Sequence, residues 1–328
     1  MSEFAFHSVI FLVTAYVALN LSIYFARMAY FKPTADYTPN GDLLVVVAHQ
    51  DDETIVAGGA IQRTICKGGD VHVVYTVDGV NHNPNLSAEE LEKKIVKRET
   101  QAVAALAMCK VPTDHIHFLR YENEEGLKES GNVMQTVDWL IEKICDLEPC
   151  AIITCSYEGG HVDHDMTNYI VANAARLAGF PHSQVFEAPE YNRYYLRDSL
   201  TKFANRLLAI KLPNPPRFIP ADSKGYFLEM TPRELAQKRA MFEAFEDWDP
   251  PSLIRAWGFP DQFRVLPEYD YASGPYDRTK TVRHWFARLR YRGTQEPFTY
   301  FRSLTIDDYR ALYGRVGDAL SMREIEGP

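Results

Sequence analysis

The hydrophobic residues of this chain are distributed in three regions with different patterns. Residues 4–26 form a predominantly apolar stretch that contains no Asp, Glu, Lys or Arg. Between residues 43 and 190, short aliphatic runs alternate with segments that place apolar residues on one helical face. After residue 190 this alternation loosens, and Tyr, Arg, Phe and Pro become frequent. The pattern predicts an N-terminal segment, an alternating core at 43–190 and a C-terminal extension at 191–328 that completes the domain.

The alternating region predicts an α/β fold. The predicted strands cover residues 43–48, 71–77, 115–119 and 150–155, and the predicted helices include residues 87–107, 132–147 and 165–178. Another helix, containing Ile55 and Ile61, ends at Gly68. Uninterrupted apolar runs are typical of strands that are buried on both faces of a parallel sheet. We therefore expect a mostly parallel sheet with helices on both faces.

The segment at residues 4–26 has the length of a membrane span. A helix of this size extends about 34 Å, which exceeds the ~30 Å hydrocarbon core of a bilayer. A cleaved signal peptide normally begins with basic residues, whereas Met-Ser-Glu precedes this stretch. A buried helix of a globular domain is the remaining alternative. The sequence predicts one N-terminal transmembrane helix, followed by a linker at residues 27–42.

The orientation of this span is predicted from the flanking charges. Arg27 and Lys32 follow it, whereas Glu3 precedes it. The positive-inside rule then places the bulk of the chain in the cytoplasm. Five cysteines without a CxxC pair agree with a reducing compartment. We expect a single-pass membrane protein whose main domain lies in the cytoplasm.

Composition excludes several classes of protein. With 46% hydrophobic and 24% charged residues, the chain is neither disordered nor of low complexity. Its net charge of −9 argues against a nucleic-acid partner. Residues 278–292 contain six Lys or Arg and no acid. This stretch, together with a basic amphipathic helix predicted at 199–211, suits either anionic lipid headgroups or an ordinary protein surface.

Two clusters of His and carboxylate residues follow predicted strands. The first cluster holds His49, Asp51 and Asp52, and the second holds His161, Asp163 and His164. Ligands of open α/β sheets bind beyond the carboxyl ends of the strands. Acids and imidazoles concentrated there repel one another or remain unpaired unless a cation binds. Helix capping by the aspartates, with the histidines as bystanders, is the alternative explanation.

The ligand count fits a catalytic zinc ion. Such a site takes three His or carboxylate ligands and keeps one position open for water. His49, His164 and one of Asp51 and Asp52 supply these ligands, and the other aspartate is placed to accept a proton from the water. His161 is placed to stabilise an oxyanion or protonate a leaving group. Iron, manganese or cobalt also suits such ligands, and the chemistry alone does not divide the roles of the two aspartates.

The motifs around these residues resemble those of the PIG-L/LmbE family of zinc-dependent N-acetylglucosaminyl deacetylases. Residues 48–53, AHQDDE, resemble the AHPDDE motif of that family, and residues 161–164, HVDH, resemble its HPDH motif. Thr76–Gly79, and Arg98-Glu99 followed by Ala104–Leu106 within the helix predicted at 87–107, resemble further motifs between them. Gln50 and Val162 replace the motif prolines, and residues 250–328 match nothing in the family pattern. The resemblance covers roughly residues 43–190.

This resemblance implies a Rossmann-like fold and the hydrolysis of an N-acetyl group from an amino sugar. It implies that His49, Asp52 and His164 bind zinc and that Asp51 is the general base. It also implies that His161 is an acid or oxyanion stabiliser that Asp163 orients. Tyr157 is a candidate donor to the substrate carbonyl. Arg98, judged from its own position on a basic helix, is a candidate contact for a polar substrate or part of a solvated face.

The sequence thus predicts a membrane-anchored, metal-dependent N-deacetylase. The predicted anchor suggests a lipid-linked or membrane-proximal glycan as its substrate. A metal-dependent phosphoesterase is an alternative, although such enzymes usually hold two metals and need additional bridging carboxylates. A catalytically inactive, glycan-binding membrane protein is another alternative, which the presence of Asp51 disfavours.

Overall fold

The computed structural model describes a chain of alternating strands and helices with gaps along its length. The described residues are 7–18, 32–34, 40–157, 161–190, 226–246, 250, 254, 258–271, 311–318 and 320–321. The predicted basic segments at 199–211 and 278–292 lie outside these residues. The strands are β1 (Lys32–Thr34), β2 (Leu43–Val47), β3 (Val71–Val77), β4 (Ile116–Tyr121), β5 (Ala151–Cys155), β6 (Val185–Ala188), β7 (Tyr226–Leu228) and β8 (Gln262–Val265).

Between residues 43 and 190 the helices follow the strands as the sequence pattern predicts, and further helices lie outside this region. They are α1 (residues 7–18), α2 (Asp52–Cys66), α3 (Ala88–Ala107), α4 (Ser130–Leu147), α5 (Val162–Leu177), α6 (Pro232–Glu243) and α7 (residues 311–318). Short 3₁₀ turns occupy Thr113–His115, Gly126–Lys128 and His182–Gln184. The capping box expected at the start of α3 is present, since Ser87 accepts the Glu90 N–H and Glu90 accepts the Ser87 N–H.

The N-terminal region is described only in part. Of the predicted span at residues 4–26, residues 7–18 are described and are helical. No helix within the described ranges is both long and apolar enough to cross a bilayer. The transmembrane helix therefore stays a prediction. Within the predicted linker at 27–42, residues 32–34 form β1 and pair with β7, a strand that the sequence pattern did not indicate.

One sheet of eight strands connects the described parts, in the order β1-β7-β8-β6-β5-β2-β3-β4. Five neighbouring pairs are parallel, and β8 runs antiparallel to β6 and β7. The chain starts the parallel part at β2, adds β3 and β4 on one side and adds β5 and β6 on the other. This reversal between β2 and β5 is the topological switch point at which α/β sheets bind ligands.

Helices cover both faces of the sheet, which confirms the predicted mixed α/β architecture. Alternate side chains of β2 pack into two separate apolar clusters. Leu43 and Val45 join residues of α2, α3 and α6. Leu44 and Val46 join residues of α4 and α5 and the helix at 311–318. Burial on both faces is the physical reason that β2 is an uninterrupted aliphatic run.

A buried ion pair fixes α6 against α2. The Nζ atom of Lys238 lies 2.5 Å from Oδ1 of Asp261 and donates to the carbonyl of Ile55. The other carboxylate oxygen of Asp261 accepts the N–H groups of Gly59 and Ala60 at 2.7 and 2.9 Å. A Cβ atom at Gly59 would lie 2.7 Å from a Met230 side-chain atom, so a larger residue there would force the neighbouring side chains to shift. The segment after residue 226 therefore supports the helix that begins at Asp52.

Candidate metal centre

The first cluster lies on a tight turn between β2 and α2. Asp51, the residue before α2, has a φ of 143°, which is a strained conformation for a residue with a side chain. Its N–H donates to Glu53 at 3.0 Å. Gln50, which stands in place of the motif proline, donates from its side chain to the carbonyl of Val77. These hydrogen bonds hold the turn against the end of β3.

The turn after β3 packs directly against Gln50. Gly79 has a φ of 68°, and a Cβ atom there would lie 2.1 Å from the Gln50 side-chain oxygen. Only glycine combines this left-handed conformation with so close an approach. The Asp78–Gly79 motif is therefore part of the wall that positions the first cluster.

Three side-chain atoms from the two clusters converge beyond the ends of β2 and β5. His49 Nδ1 lies 3.0 Å from His164 Nε2, and each of these nitrogens lies 3.2 Å from Asp52 Oδ2. Metal bonds of 2.0–2.1 Å in a tetrahedral site separate neighbouring ligand atoms by about 3.3 Å. The donor types and the spacing therefore both fit zinc. The structure brings together the three residues that the sequence predicts as ligands.

The remaining ring nitrogens of both histidines face oxygen atoms. His49 Nε2 lies 2.9 Å from Asn123 Oδ1 and 3.3 Å from Asp163 Oδ2. His164 Nδ1 lies 3.4 Å from Glu190 Oε1. Oxygen acceptors at these positions favour a proton on the outer nitrogen, so the inner nitrogen keeps its lone pair for a metal.

Electrostatics of the cluster follow from its burial and its ion pairs. Burial lowers the pKa of His49, but hydrogen bonds to Asp163 and Asp52 outweigh it and raise this pKa to about 9. Burial likewise opposes protonation of His164, whereas Asp52 and Glu190 together raise its pKa well above the usual value. The two histidines in turn hold the pKa of Asp52 well below its usual range, against the effect of burial. Protons thus balance the acids when no cation is present, and a metal must displace them.

Asp51 is held beside this centre by Arg98. The Arg98 guanidinium donates to the carbonyl of Gln50 at 2.7 Å and lies 3.5 Å from Asp51 Oδ1. Burial raises the pKa of Asp51 to about 6, with Arg98 acting in the opposite direction. A carboxylate with such a pKa suits general-base chemistry near neutral pH.

His161 precedes the first turn of α5, next to His49. Its Nδ1 accepts the N–H of Asp163 at 3.2 Å, which leaves the proton of the neutral ring on Nε2. The ring centroids of His161 and His49 are 4.6 Å apart. Burial, followed by the charge of His49, lowers the pKa of His161 to about 3. His161 is therefore a neutral hydrogen-bond donor at this position.

Asp163 connects the two histidines. Its Oδ2 lies 3.3 Å from His49 Nε2 and 3.6 Å from His161 Nδ1, and it accepts the N–H of Glu124 at 2.8 Å. The carboxylate is fixed by the loop after β4 as well as by α5. The sequence predicts that Asp163 orients His161, and in the structure the Asp163 carboxylate lies closer to His49 than to His161.

Tyr157 and Arg98, the two residues predicted to contact the substrate, make their observed contacts with other parts of the protein. Tyr157 is fully buried, and its hydroxyl donates to the carbonyl of Tyr271 at 3.0 Å. Its ring packs among the rings of Tyr269, Tyr271 and Tyr313. Arg98 is 6% exposed, which excludes a solvated face, one of the two alternatives considered for this residue. The contacts of Arg98 are with the turn that carries Asp51, and a substrate contact of either residue stays a prediction.

Several neighbours of the centre were missed in the sequence. Asn123 follows β4, Cys155 ends β5 and Glu190 follows β6, all at the same edge of the sheet as His49. The rule that selected the two clusters, polar residues just beyond a strand, applies to Asn123 and Glu190 as well. Cys155 gave no such signal, because a cysteine at the end of an apolar strand is usually a core residue.

Comparisons with known proteins place this chain beside deacetylases. Residues 44–175 match the family model described as "PIG-L: GlcNAc-PI de-N-acetylase". The 1D-myo-inositol 2-acetamido-2-deoxy-alpha-D-glucopyranoside deacetylase of Rhodococcus opacus (strain B4) is 28% identical over 167 residues, which are 44% of this chain and 57% of that protein. The protein described in the same words from Mycobacterium sp. (strain KMS) is 27% identical over 157 residues, 42% of this chain and 50% of that protein.

The chain spans about half the length of the curated relatives it matches. Among solved structures, a deacetylase triple mutant of the teicoplanin biosynthetic pathway aligns with a TM-score of 0.50. The alignment has 18% sequence identity and covers 70% of this chain and 99% of that chain. This likeness shows a shared fold.

Proposed function

We propose, from the premise that residues 44–175 form a PIG-L family domain, that this protein is a metal-dependent N-deacetylase. It hydrolyses the acetamide of an N-acetylated amino sugar to a free amine and acetate. The observation that carries the proposal is the triangle of His49 Nδ1, Asp52 Oδ2 and His164 Nε2, with sides of 3.0–3.2 Å, next to Asp51. The matched relatives support this substrate class, since both act on a 2-acetamido sugar.

His49, Asp52 and His164 would hold the metal, for which zinc fits best. A divalent cation there supplies Lewis acidity, which polarises an amide carbonyl and activates water. The outer contacts to Asn123 and Glu190 hold both imidazole rings in the orientation that this ligation needs. The protein's contribution is a fixed and largely buried set of three donors.

Asp51 accepts the proton of the attacking water. It directly precedes the ligand Asp52, so the two carboxylates emerge from the same turn. Its pKa of about 6 keeps it ionised at neutral pH while leaving it basic enough to take a proton. Arg98 holds the turn by its hydrogen bond to Gln50 and fixes the direction of the Asp51 side chain. The proton that Asp51 takes is later delivered to the departing amine.

His161 donates from Nε2 to the oxygen that becomes negative as water adds to the amide carbon. Its Nδ1 is engaged by the N–H of Asp163, so the donor proton faces away from α5. A preorganised donor of this kind stabilises developing charge in a dry site. Asp163 orients the ring through that backbone contact, and its carboxylate is held by His49 and by the N–H of Glu124.

The location of the substrate is the finer part of the proposal. Residues 4–26 form the membrane span, and the catalytic domain lies on the cytoplasmic side, as the flanking Arg27 and Lys32 favour. An active site tethered in this way acts on a lipid-linked or membrane-proximal glycan. A protein lacking residues 1–31 tests this point. It should lose turnover on lipid-linked sugar in bilayers and keep turnover on soluble sugar, and equal turnover on both would contradict the tether.

The test of the activity is acetate release from a panel of free and lipid-linked N-acetylhexosamines. We expect the full chain loaded with Zn²⁺ to release acetate from at least one of them. A chelator should abolish the reaction, and added Zn²⁺ should restore it. Release of phosphate instead of acetate would support the phosphoesterase alternative, and tight glycan binding without any product would support the inactive, glycan-binding one.

A further inference from the structure

A second group of metal-binding side chains overlaps the centre described above. Asp52, Cys155, His164 and Glu190 offer ligand atoms that all lie within 4.8 Å of one another. Each of these residues is 1% exposed or less. Two of them, Asp52 and His164, also belong to the triangle with His49. The other two, Cys155 and Glu190, extend from the ends of the neighbouring strands β5 and β6.

The chemistry of this group calls for a positive charge. Glu190 lies 3.4 Å from His164 Nδ1, and Asp52 lies 3.2 Å from His164 Nε2, so two carboxylates flank one imidazole. Asp52 and Glu190 thus place two buried carboxylate groups within 4.8 Å of the sulfur atom of Cys155. The deacetylation steps above give Cys155 no role.

We propose that Asp52, Cys155, His164 and Glu190 form a second, closed position for a thiophilic divalent cation such as Zn²⁺ or Cd²⁺. Four protein ligands of the types S, N and O complete a tetrahedral shell, as in structural zinc sites. The Cys155 thiol releases its proton to solvent when the cation binds. Because Asp52 and His164 serve both positions, the chain holds one ion at a time, either with His49 or with Cys155 and Glu190.

This inference has a consequence for activity that rests on the proposed function. An ion in the closed position has no free coordination site and occupies two ligands of the catalytic position. A chain with its ion in this position is therefore inactive, and Cd²⁺, which binds thiolate more strongly than Zn²⁺, should lower the active fraction of the Zn²⁺-loaded enzyme. Occupancy of the closed position does not depend on the proposed function, because it is measured without any substrate.

Cobalt(II) absorption tests the closed position in the full-length protein. A thiolate bound to Co²⁺ gives a charge-transfer band in the near ultraviolet, whereas His and carboxylate ligands do not. We expect the metal-free protein to show this band when Co²⁺ is added, with one ion bound per chain. The His49→Ala variant removes a ligand of the catalytic position but none of the closed position. Its band per bound ion should therefore be stronger than that of the wild type.

The Cys155→Ser variant should lose the band and still bind one Co²⁺ through His49, Asp52 and His164. Cys109→Ser is the matched control, because Cys109 is also buried but packs against Met241 and not beside a candidate ligand. It should keep the band. Absence of the band in both the wild type and His49→Ala would overturn the proposal. Loss of the band in His49→Ala, or two ions per wild-type chain, would overturn it as well.

Because these measurements do not involve a sugar, a failed acetate assay leaves their outcome intact. Conversely, an active enzyme without a thiolate band refutes the closed position and leaves the deacetylase proposal standing.

Discussion

His49 Nδ1 and His164 Nε2 lie 3.0 Å apart although 115 residues separate them in the chain. The contact follows from the sheet, because β2 and β5 are direct neighbours and one cluster follows the carboxyl end of each strand. Neither cluster alone supplies three ligands with suitable spacing. The metal centre is therefore a property of the strand order, and its integrity depends on the pairing of β2 with β5.

Replacement of the base should separate metal binding from catalysis. We expect Asp51→Asn to bind one Zn²⁺ as the wild type does, because Asp51 is not one of the three converging ligands. Acetate release should fall by about 10²–10⁴-fold, the usual contribution of a general base. Metal content and turnover of the same preparation measure the two effects. Unchanged turnover would eliminate Asp51 as the base.

Replacement of Asn123 should lower the affinity for the metal, although Asn123 contacts only the ligand His49 and is not itself a ligand. Asn123→Ala removes the acceptor 2.9 Å from His49 Nε2, so the ring loses its preferred tautomer and orientation. We expect zinc affinity to fall by about 10–100-fold. Competition with a chromophoric chelator measures this affinity. Asn173→Ala on α5, whose amide bonds to the carbonyl of Tyr169, is the control and should leave it unchanged.

Arg98 has two proposed roles that kinetics can distinguish. If Arg98 positions Asp51, Arg98→Lys should lower kcat and leave KM nearly unchanged, because lysine lacks the planar fork that reaches both Gln50 and Asp51. If Arg98 binds substrate, the same variant should mainly raise KM. We expect the first result from the buried contacts. A rise in KM at constant kcat would restore the substrate-binding interpretation.

The ion pair between Lys238 and Asp261 should matter for stability. Lys238→Met leaves Asp261 as a buried charge without its cation, which we expect to cost about 3–5 kcal/mol of the free energy of unfolding. Urea denaturation measures this loss. Lys93→Met is the control, because Lys93 pairs with Glu89 on the exposed face of α3 and should change stability little. Equal stability of the two variants would show that the buried pair is dispensable.

A cluster of histidines should make stability depend on pH. The rings of His72 and His115 stack at 3.9 Å, and His117 lies 5.9 Å from His72. Burial, followed by His115, His117 and Lys143, lowers the pKa of His72 to about 4, against the opposite effect of Asp70. The unfolded chain therefore binds a proton at higher pH than the folded one, so stability decreases as pH falls from about 6.5 to about 4.

The His72→Gln variant should lose part of this dependence. We expect its free energy of unfolding to fall less than that of the wild type between about pH 7 and about pH 5, because one of the histidines that gain a proton on unfolding is absent. Urea titrations at both pH values give the comparison. The exposed His182 provides the matched variant, and His182→Gln should follow the wild type. Identical pH dependence in all three proteins would refute the role of His72.

The sequence pattern predicted the elements whose signals are local. The aliphatic run of β2 and the capping box at Ser87 lie where they were expected. The convergence of His49, Asp52 and His164 was also predictable, because both clusters follow strands and parallel strands end at one edge. The direction of the Tyr157 side chain and the burial of Arg98 were not, since both depend on packing against distant segments.

The C-terminal part escaped prediction for a different reason. β7 and β8 are three and four residues long, too short to give a periodic signal. The pairing of Lys238 with Asp261 joins residues whose charges favour the surface when each is considered alone. Such features become visible only once the chain is folded.

The antiparallel strand β8 has a consequence for dividing the chain into fragments. It covers the outer edge of β6, so a fragment ending at residue 190 would expose that edge with its unpaired N–H and C=O groups. Exposed edges of this kind recruit other chains and lead to aggregation. We therefore expect a fragment ending at residue 190 to aggregate, and the less recognisable C-terminal segment protects the family-like region against self-association by covering this edge.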